Sequence, residues 1–205
     1  MASATISAGV LADTPVESEY SDILNNTDGD GTSSNPYVVT TLDELQAVQS
    51  DLSADYVLGN DIDASETEMW NSGAGFTPIG NYEDPFSGSF DGQGYTVDGL
   101  YINRPNTNYV GLFGGTDSSD IFNIGVTNSN VTGNTNVGGL VGQNKGYSDI
   151  TKSYSRGTVT GSNYIKYDIM FSTVHLNHSN FVFLILENYI SRNKHRCNRN
   201  NIIFI

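Results

Sequence analysis

Four aspartates are the residues whose spacing best suits acid–base chemistry: Asp61, Asp63, Asp91 and Asp98. Asp61 and Asp63 flank Ile62, which in a strand puts both carboxylates on one face. Asp91 and Asp98 each precede a glycine, and Asp-Gly pairs are strong turn signals. Glycan hydrolysis needs two carboxylates at a defined separation with pKa values driven apart. Spacing along the chain establishes neither condition, and a structural turn role is the plainer reading. A second candidate is Asn26-x-Asp28-x-Asp30-Gly31, which has the alternating oxygens and bend glycine of a calcium loop. Its twelfth position is Tyr37, which supplies no carboxylate, so Ca2+ is the one cofactor offered and a solvated turn competes with it. The sequons Asn25-Asn26-Thr27 and Asn130-Val131-Thr132 are glycosylation candidates.

Other chemistries are missing from the main part of the chain. His175, His178, His195 and the single Cys197 all follow Gly161, in a spacing that fits no standard metal site. Residues 1–161 thus lack imidazole bases, thiolate nucleophiles and the usual zinc ligands. The glycine-rich segments do not follow the strand-to-helix order of a phosphate loop. One cysteine allows no internal disulfide, which leaves the redox compartment open.

Charge and composition divide the 205 residues in two. Residues 1–161 hold 21 acidic and 4 basic side chains, and residues 162–205 hold 2 and 5. All 22 glycines lie at or before Gly161. An acidic body of net −17 repels nucleic acid and anionic lipid. It suits a halophile, where molar salt screens self-repulsion, and equally an ordinary acidic extracellular protein.

The elements that position these residues follow from a repeat. Asn108-Tyr-Val-Gly111-Leu112-Phe113-Gly114, closing in Val131-Thr-Gly133, recurs as Asn136-Val-Gly-Gly139-Leu140-Val141-Gly142, closing in Val159-Thr-Gly161. The offset is 28 at Gly111/Gly139, Gly114/Gly142 and Val131/Val159, with no gap. The same register pairs Leu112 with Leu140, Phe122 with Ile150 and Val126 with Tyr154. The apolar bursts are short, β-branched or aromatic, and separated by Gly, Asn, Ser and Thr, so they read as strands between turns. Repeats of this length cannot bury a core alone and must stack. The expected fold is all-β: a right-handed parallel β-helix with a short N-terminal capping helix and an irregular C-terminal tail.

Val137-Gly-Gly-Leu-Val-Gly-Gln-Asn-x-Gly146, followed by Ser153-Tyr-Ser-x-Gly157-x-Val159-x-Gly161, resembles the GLUG repeat. Segments Phe86–Ile102 and Tyr56–Ala64 resemble the stretch that precedes such repeats, so the likeness covers about residues 29–161. It implies a surface or adhesin-like module, a stalk or adhesin fragment for binding or spacing. Its partners would be a glycan or a surface protein, and further repeats or a second copy would meet its open C-terminal edge. The alternative is a carbohydrate-active β-helix enzyme, a polysaccharide hydrolase or lyase using the paired aspartates.

Along the chain, residues 1–28 read as a leader, disordered or the remnant of a signal region in which Val10-Leu11-Ala12 fits a cleavage site. Thr41 and Glu44 form a capping box, and Leu42, Leu45 and Val48 the apolar stripe of a helix placed to cover a solenoid end. No run approaches the length of a membrane helix. Residues 162–205 break the period, with Tyr167, Asp168 and Met170 where a third copy needs Gly, Leu and Gly. They read as a frameshifted or truncated end, or else as a genuine cap, and Phe181–Leu186 is an aggregation hazard.

Overall fold

The structure, a computed structural model, describes residues 17–165, 172–176 and 179–183. Short strands follow one another: β1 (Tyr37–Val39), β2 (Tyr56–Leu58), β3 (Ile62–Asp63), β4 (Ser89–Asp91), β5 (Thr96–Asp98), β6 (Tyr101–Asn103), β7 (Phe113–Asp117) and β8 (Asp120–Phe122). Next come β9 (Gly125–Thr132), β10 (Thr135–Val137), β11 (Val141–Lys145), β12 (Asp149–Thr151), β13 (Tyr154–Thr160) and β14 (Asn163–Ile165). The last two described are β15 (Ser172–Leu176) and β16 (Ser179–Phe183).

Up to β14 every strand pairs in parallel with a strand from a later or earlier pass of the chain. One sheet runs β1-β2-β4-β8-β12, and a second runs β3-β5-β9-β13 with β6 also beside β9. The pairs β7-β11 and β10-β14 complete the set. From β8 the chain visits them in a fixed cycle: β8, β9, β10, β11, then β12, β13, β14. The result is a strand-rich body of parallel sheets curled about one apolar core.

The inward positions form columns. Tyr37, Tyr56, Phe90, Ile121 and Ile150 occupy successive register positions in the first sheet. Their rings touch, at 5.6 Å between the centroids of Tyr37 and Tyr56 and 6.1 Å between those of Tyr56 and Phe90. Phe113 joins from the adjacent sheet at 5.4 Å from Phe90, edge to face. Ile62, Val97 and Val126 make a second column, and Ile102, Val131 and Val159 a third. A fourth holds Ile79, Phe113 and Val141. Pro78-Ile79-Gly80 therefore lies level with Leu112-Phe113-Gly114, a degenerate copy of the motif that residue identity conceals.

The 28-residue register holds in parts and slips in others. Phe113 pairs with Val141, so Leu112 stands level with Leu140, and Val131 pairs with Val159 as the repeat requires. Two expected pairs are corrected. Ile150 pairs with Ile121, not Phe122, and Val126 pairs with Ser155, not Tyr154. Between Lys145 and Asp149 the second copy carries one extra residue in a loop whose Tyr147 is 96% exposed. The first copy carries its own extra residue as a bulge opposite Arg156, at Thr127-Asn128, where Asn128 turns to φ 51°. The two insertions cancel, so the sequence offset looks constant while the strands between them pair one residue out. A one-residue slip exchanges faces, and Ile121 is accordingly the buried residue while Phe122 is only partly covered.

One α-helix precedes the strands and a second lies between β1 and β2. α1 (Glu17–Asn25) lies inside the segment expected to be leader, and buries Tyr20 and Leu24 against the core. α2 (Leu42–Ala47) is the expected capped helix. The Thr41 hydroxyl accepts the Glu44 N–H at 3.2 Å, and the Glu44 carboxylate accepts the Thr41 N–H at 2.9 Å. It continues as a 3-10 turn, Val48–Ser50. Its fully buried Gln46 points at the backbone of Thr77: the amide donates to the Thr77 carbonyl at 2.9 Å and accepts the Thr77 N–H at 2.9 Å. Gln49 accepts the Gly80 N–H at 2.8 Å. Two glutamines thus satisfy the edge of the Thr77–Gly80 segment in the place a further strand would take.

Beyond Gly161 the described residues are regular, where an irregular tail is expected. β14 continues the stack, Asn163 against Thr135 and Ile165 against Val137, which keeps the 28-residue spacing past the expected boundary. β15 and β16 form an antiparallel pair. Val10–Ala12, Tyr167, Asp168, Met170, His178, residues 184–186, His195 and Cys197 lie outside the described residues.

Candidate functional site

The repeat motif itself is a packing device. A Cβ on Gly142 would stand 2.7 Å from the Val110 nitrogen and 2.8 Å from the Gly114 carbonyl oxygen, and one on Gly114 would stand 2.5 Å from the Gly80 carbonyl oxygen. Successive passes of backbone cross closely here, and only glycine fits. Gly111 and Gly139 are buried beside them, while Leu112 and Leu140 fill the core between the glycines.

The candidate aspartates divide between the two sheets. Asp91 ends a strand of the first sheet, whereas Asp63 and Asp98 are register partners in the second. Asp61 and Asp63 are both exposed while Ile62 is buried, as the alternation predicts. Each carboxylate accepts hydrogen bonds that shape a corner. Asp61 accepts the Thr96 N–H at 2.8 Å, Asp63 the Ser65 N–H at 2.9 Å, and Asp98 the Asn128 amide at 2.6 Å together with the Thr127 hydroxyl. The bonds from Ser65 hold the Asp63 carboxyl below its ordinary value. Of these, the Asp63–Ser65 bond closes an Asx-type turn, while those of Asp61 and Asp98 tie successive passes of the chain together.

Asn26, Asp28 and Asp30 each engage different partners. The Asn26 amide donates to the Asp22 carbonyl of α1 at 2.6 Å, and the Asp28 backbone carbonyl accepts the Val38 N–H at 2.8 Å. Asp30 accepts the Thr32 hydroxyl at 2.7 Å, a bond that holds its carboxyl below the ordinary value. Among the described residues no three His, Cys, Asp or Glu side chains converge as a metal site. Of the sequons, Asn130 is exposed on β9. Asn25 is exposed at the end of α1, but Thr27 of that sequon is buried with its hydroxyl on the Ile23 carbonyl at 3.0 Å.

What the sequence did not signal is a cleft of about 370 Å³ at the corner between the first and second sheets. Gln93, Asn123 and Lys152 come from successive passes of the chain and turn the corner with φ of 54°, 56° and 49°. Gly94, Ile124, Gly125 and Tyr154 complete the lining. Asp91 stands behind it as a hub. Its carboxylate accepts the Gln93 side-chain amide at 2.8 Å, the Gln93 N–H at 2.8 Å and the Asn123 side-chain amide at 3.0 Å. The Tyr154 ring crosses over Gly125, where any Cβ would meet it at 2.5 Å, and the Arg156 guanidinium lies 5.3 Å from the ring centroid. Space above Gly94 is open.

These features define a stacked-repeat protein, and comparison with known proteins places the repeat. Residues 133–160 match the GLUG motif, so the chain carries it where the Gly-Leu-Val-Gly packing is seen. Over 144 residues, 66% of the chain, it is 40% identical to halomucin of Haloquadratum walsbyi. Over 127 residues, 59% of the chain, it is 35% identical to a putative Gly-rich membrane protein of Evansella cellulosilytica. The matched segments span only 2% and 15% of those two proteins. No solved structure matches the chain. Among the described residues no helix is long and apolar enough to cross a membrane, which says nothing about a β-barrel.

Proposed function

We propose that the chain is a segment of a cell-surface or secreted repeat protein, working as a non-enzymatic stalk or adhesin-like module. The finer fold we propose is a right-handed parallel β-helix over about residues 29–165, closed at its N-terminal end by α1 and α2. The observation that carries the reading is the cyclic stacking of parallel strands around the close-packed GLUG glycines. Such an array lengthens by adding repeats and needs no active centre to serve as a spacer. The likeness to short stretches of two much longer proteins, one of them described as a membrane protein, supports a surface location. The acidic body fits a salt-rich exterior.

The test is surface labelling of intact source cells with an antibody to residues 29–161, alongside small-angle scattering of the full chain. Labelling without permeabilisation and an elongated particle are expected. Labelling only after lysis overturns the surface reading. The enzyme alternative is tested by incubating the chain with polysaccharides. Cleavage lost on Asp91→Asn but retained on Tyr147→Ala would establish it.

A further inference from the structure

We infer that the corner cleft of Gln93, Asn123, Lys152 and Tyr154 is a binding site for a carboxylated sugar residue of a polysaccharide. This deepens the surface-module reading and rests on it for the expectation of an extracellular ligand. The chemistry follows from the lining. Asp91 fixes two amide side chains, each of which keeps a free carbonyl oxygen and a second N–H to offer a ligand. Sugar hydroxyls, which both donate and accept, match such amides. The Tyr154 ring supplies an apolar wall for the C–H face of a pyranose, and the open floor at Gly94 admits it. A volume of about 370 Å³ lies at the small end of ligand sites and suits one sugar unit.

Charge selects the acidic sugar. Residues 1–161 carry only four basic side chains, and two of them, Lys152 and Arg156, bracket Tyr154. The rest of that body repels an anionic polymer, so a polyanion engages where the cations are concentrated. A densely charged nucleic acid is repelled along the remaining surface. A uronate, with one charge per residue and hydroxyls for the amides, fits both the cation and the polar groups.

The probe is a tetrasaccharide of alternating glucuronate and N-acetylglucosamine, with chitotetraose as its neutral match. The full 205-residue chain is titrated and amide chemical shifts are followed. Shifts clustered at Gly94, Asn123, Gly125 and Tyr154 are expected, with the acidic sugar bound at least about fivefold more tightly. Lys152→Ala removes that preference, Asp91→Asn weakens both sugars, and Tyr154→Ala weakens both about tenfold. Tyr147→Ala, outside the cleft lining, changes nothing. Absence of shifts at the corner with either sugar overturns the inference, as does a preference that survives Lys152→Ala. The shift map on the unaltered chain tests the site whether or not Tyr154→Ala folds. Surface labelling decides the module reading separately, so a chain that is displayed but binds neither sugar refutes this site alone.

Discussion

Replacing Gln46 with alanine removes the side chain that closes the edge of the Thr77–Gly80 segment. Gln46 is fully buried, and its amide makes two hydrogen bonds of 2.9 Å, one to each backbone polar group of Thr77. Without it, a donor and an acceptor lose their partners together, and each such buried group costs about 1–3 kcal/mol. Thr77 is half-buried, so water recovers part of the loss, and the expected net destabilisation is about 2–4 kcal/mol. With a urea slope of about 2 kcal/mol per molar, the unfolding midpoint falls by about 1–2 M. Gln46→Glu adds a sign test. Its carboxylate accepts the Thr77 N–H but cannot donate to the carbonyl until protonated, so burial raises its folded pKa. The variant should therefore be worst at pH 7 and recover as pH falls toward 4, opposite to ordinary acid denaturation. A loss below about 0.5 kcal/mol for Gln46→Ala would show that the edge does not depend on this side chain.

Three further perturbations address the core and the caps. Leu140→Asp places a charge in the core beside Leu112 and should cost several kcal/mol in denaturant unfolding, since a buried charge without a partner is among the most destabilising changes. Gly142→Ala drives a Cβ against backbone atoms on three sides, and should cost more than about 2 kcal/mol by the same assay although it adds one methyl. Burial pushes the Glu44 carboxyl up, but hydrogen bonds from Thr40 and Thr41 outweigh it and hold its pKa below the ordinary 4.5. Its contribution is therefore complete above the ordinary value and lost as pH falls through the lower folded value. Glu44→Gln should cost about 1 kcal/mol or less at pH 7, discounted for partial exposure, and flatten the acid limb of a stability–pH curve.

Much of this structure was legible because its causes are local. The Thr41–Glu44 capping box depends on side chains three residues apart, and the structure forms it. Leu112, Leu140, Val131 and Val159 announced their columns because burial demands apolar residues at matched positions. What failed was the register between them, since an inserted loop residue near Tyr147 and the bulge at Asn128 cancel in the residue count. Identity at a constant offset cannot reveal two compensating shifts, yet each one exchanges inside for outside. The Pro78-Ile79-Gly80 copy escaped notice because its glycine alone matches the motif. Gln46 did too, because a glutamine on a helix face looks like solvent-facing polarity until the edge it meets is known. The corner cleft assembles residues 93, 123 and 152 from three passes of the chain, and nothing in their local sequence signals the convergence. α1 was hidden by its position, beside small residues that resemble a leader.

The stacking register is tested most directly by engineered disulfides in a Cys197→Ser background. Partners on adjacent parallel strands lie about 4.8 Å apart, within disulfide reach. Phe122→Cys with Thr151→Cys, paired in the structure, should cross-link rapidly under mild oxidation, as should Thr132→Cys with Thr160→Cys. Phe122→Cys with Ile150→Cys, separated by the constant 28 of the sequence, should stay reduced because the two side chains face opposite sides of the sheet. Mass spectrometry that found the last pair bridged and the Phe122–Thr151 pair free would contradict the stacked architecture as described.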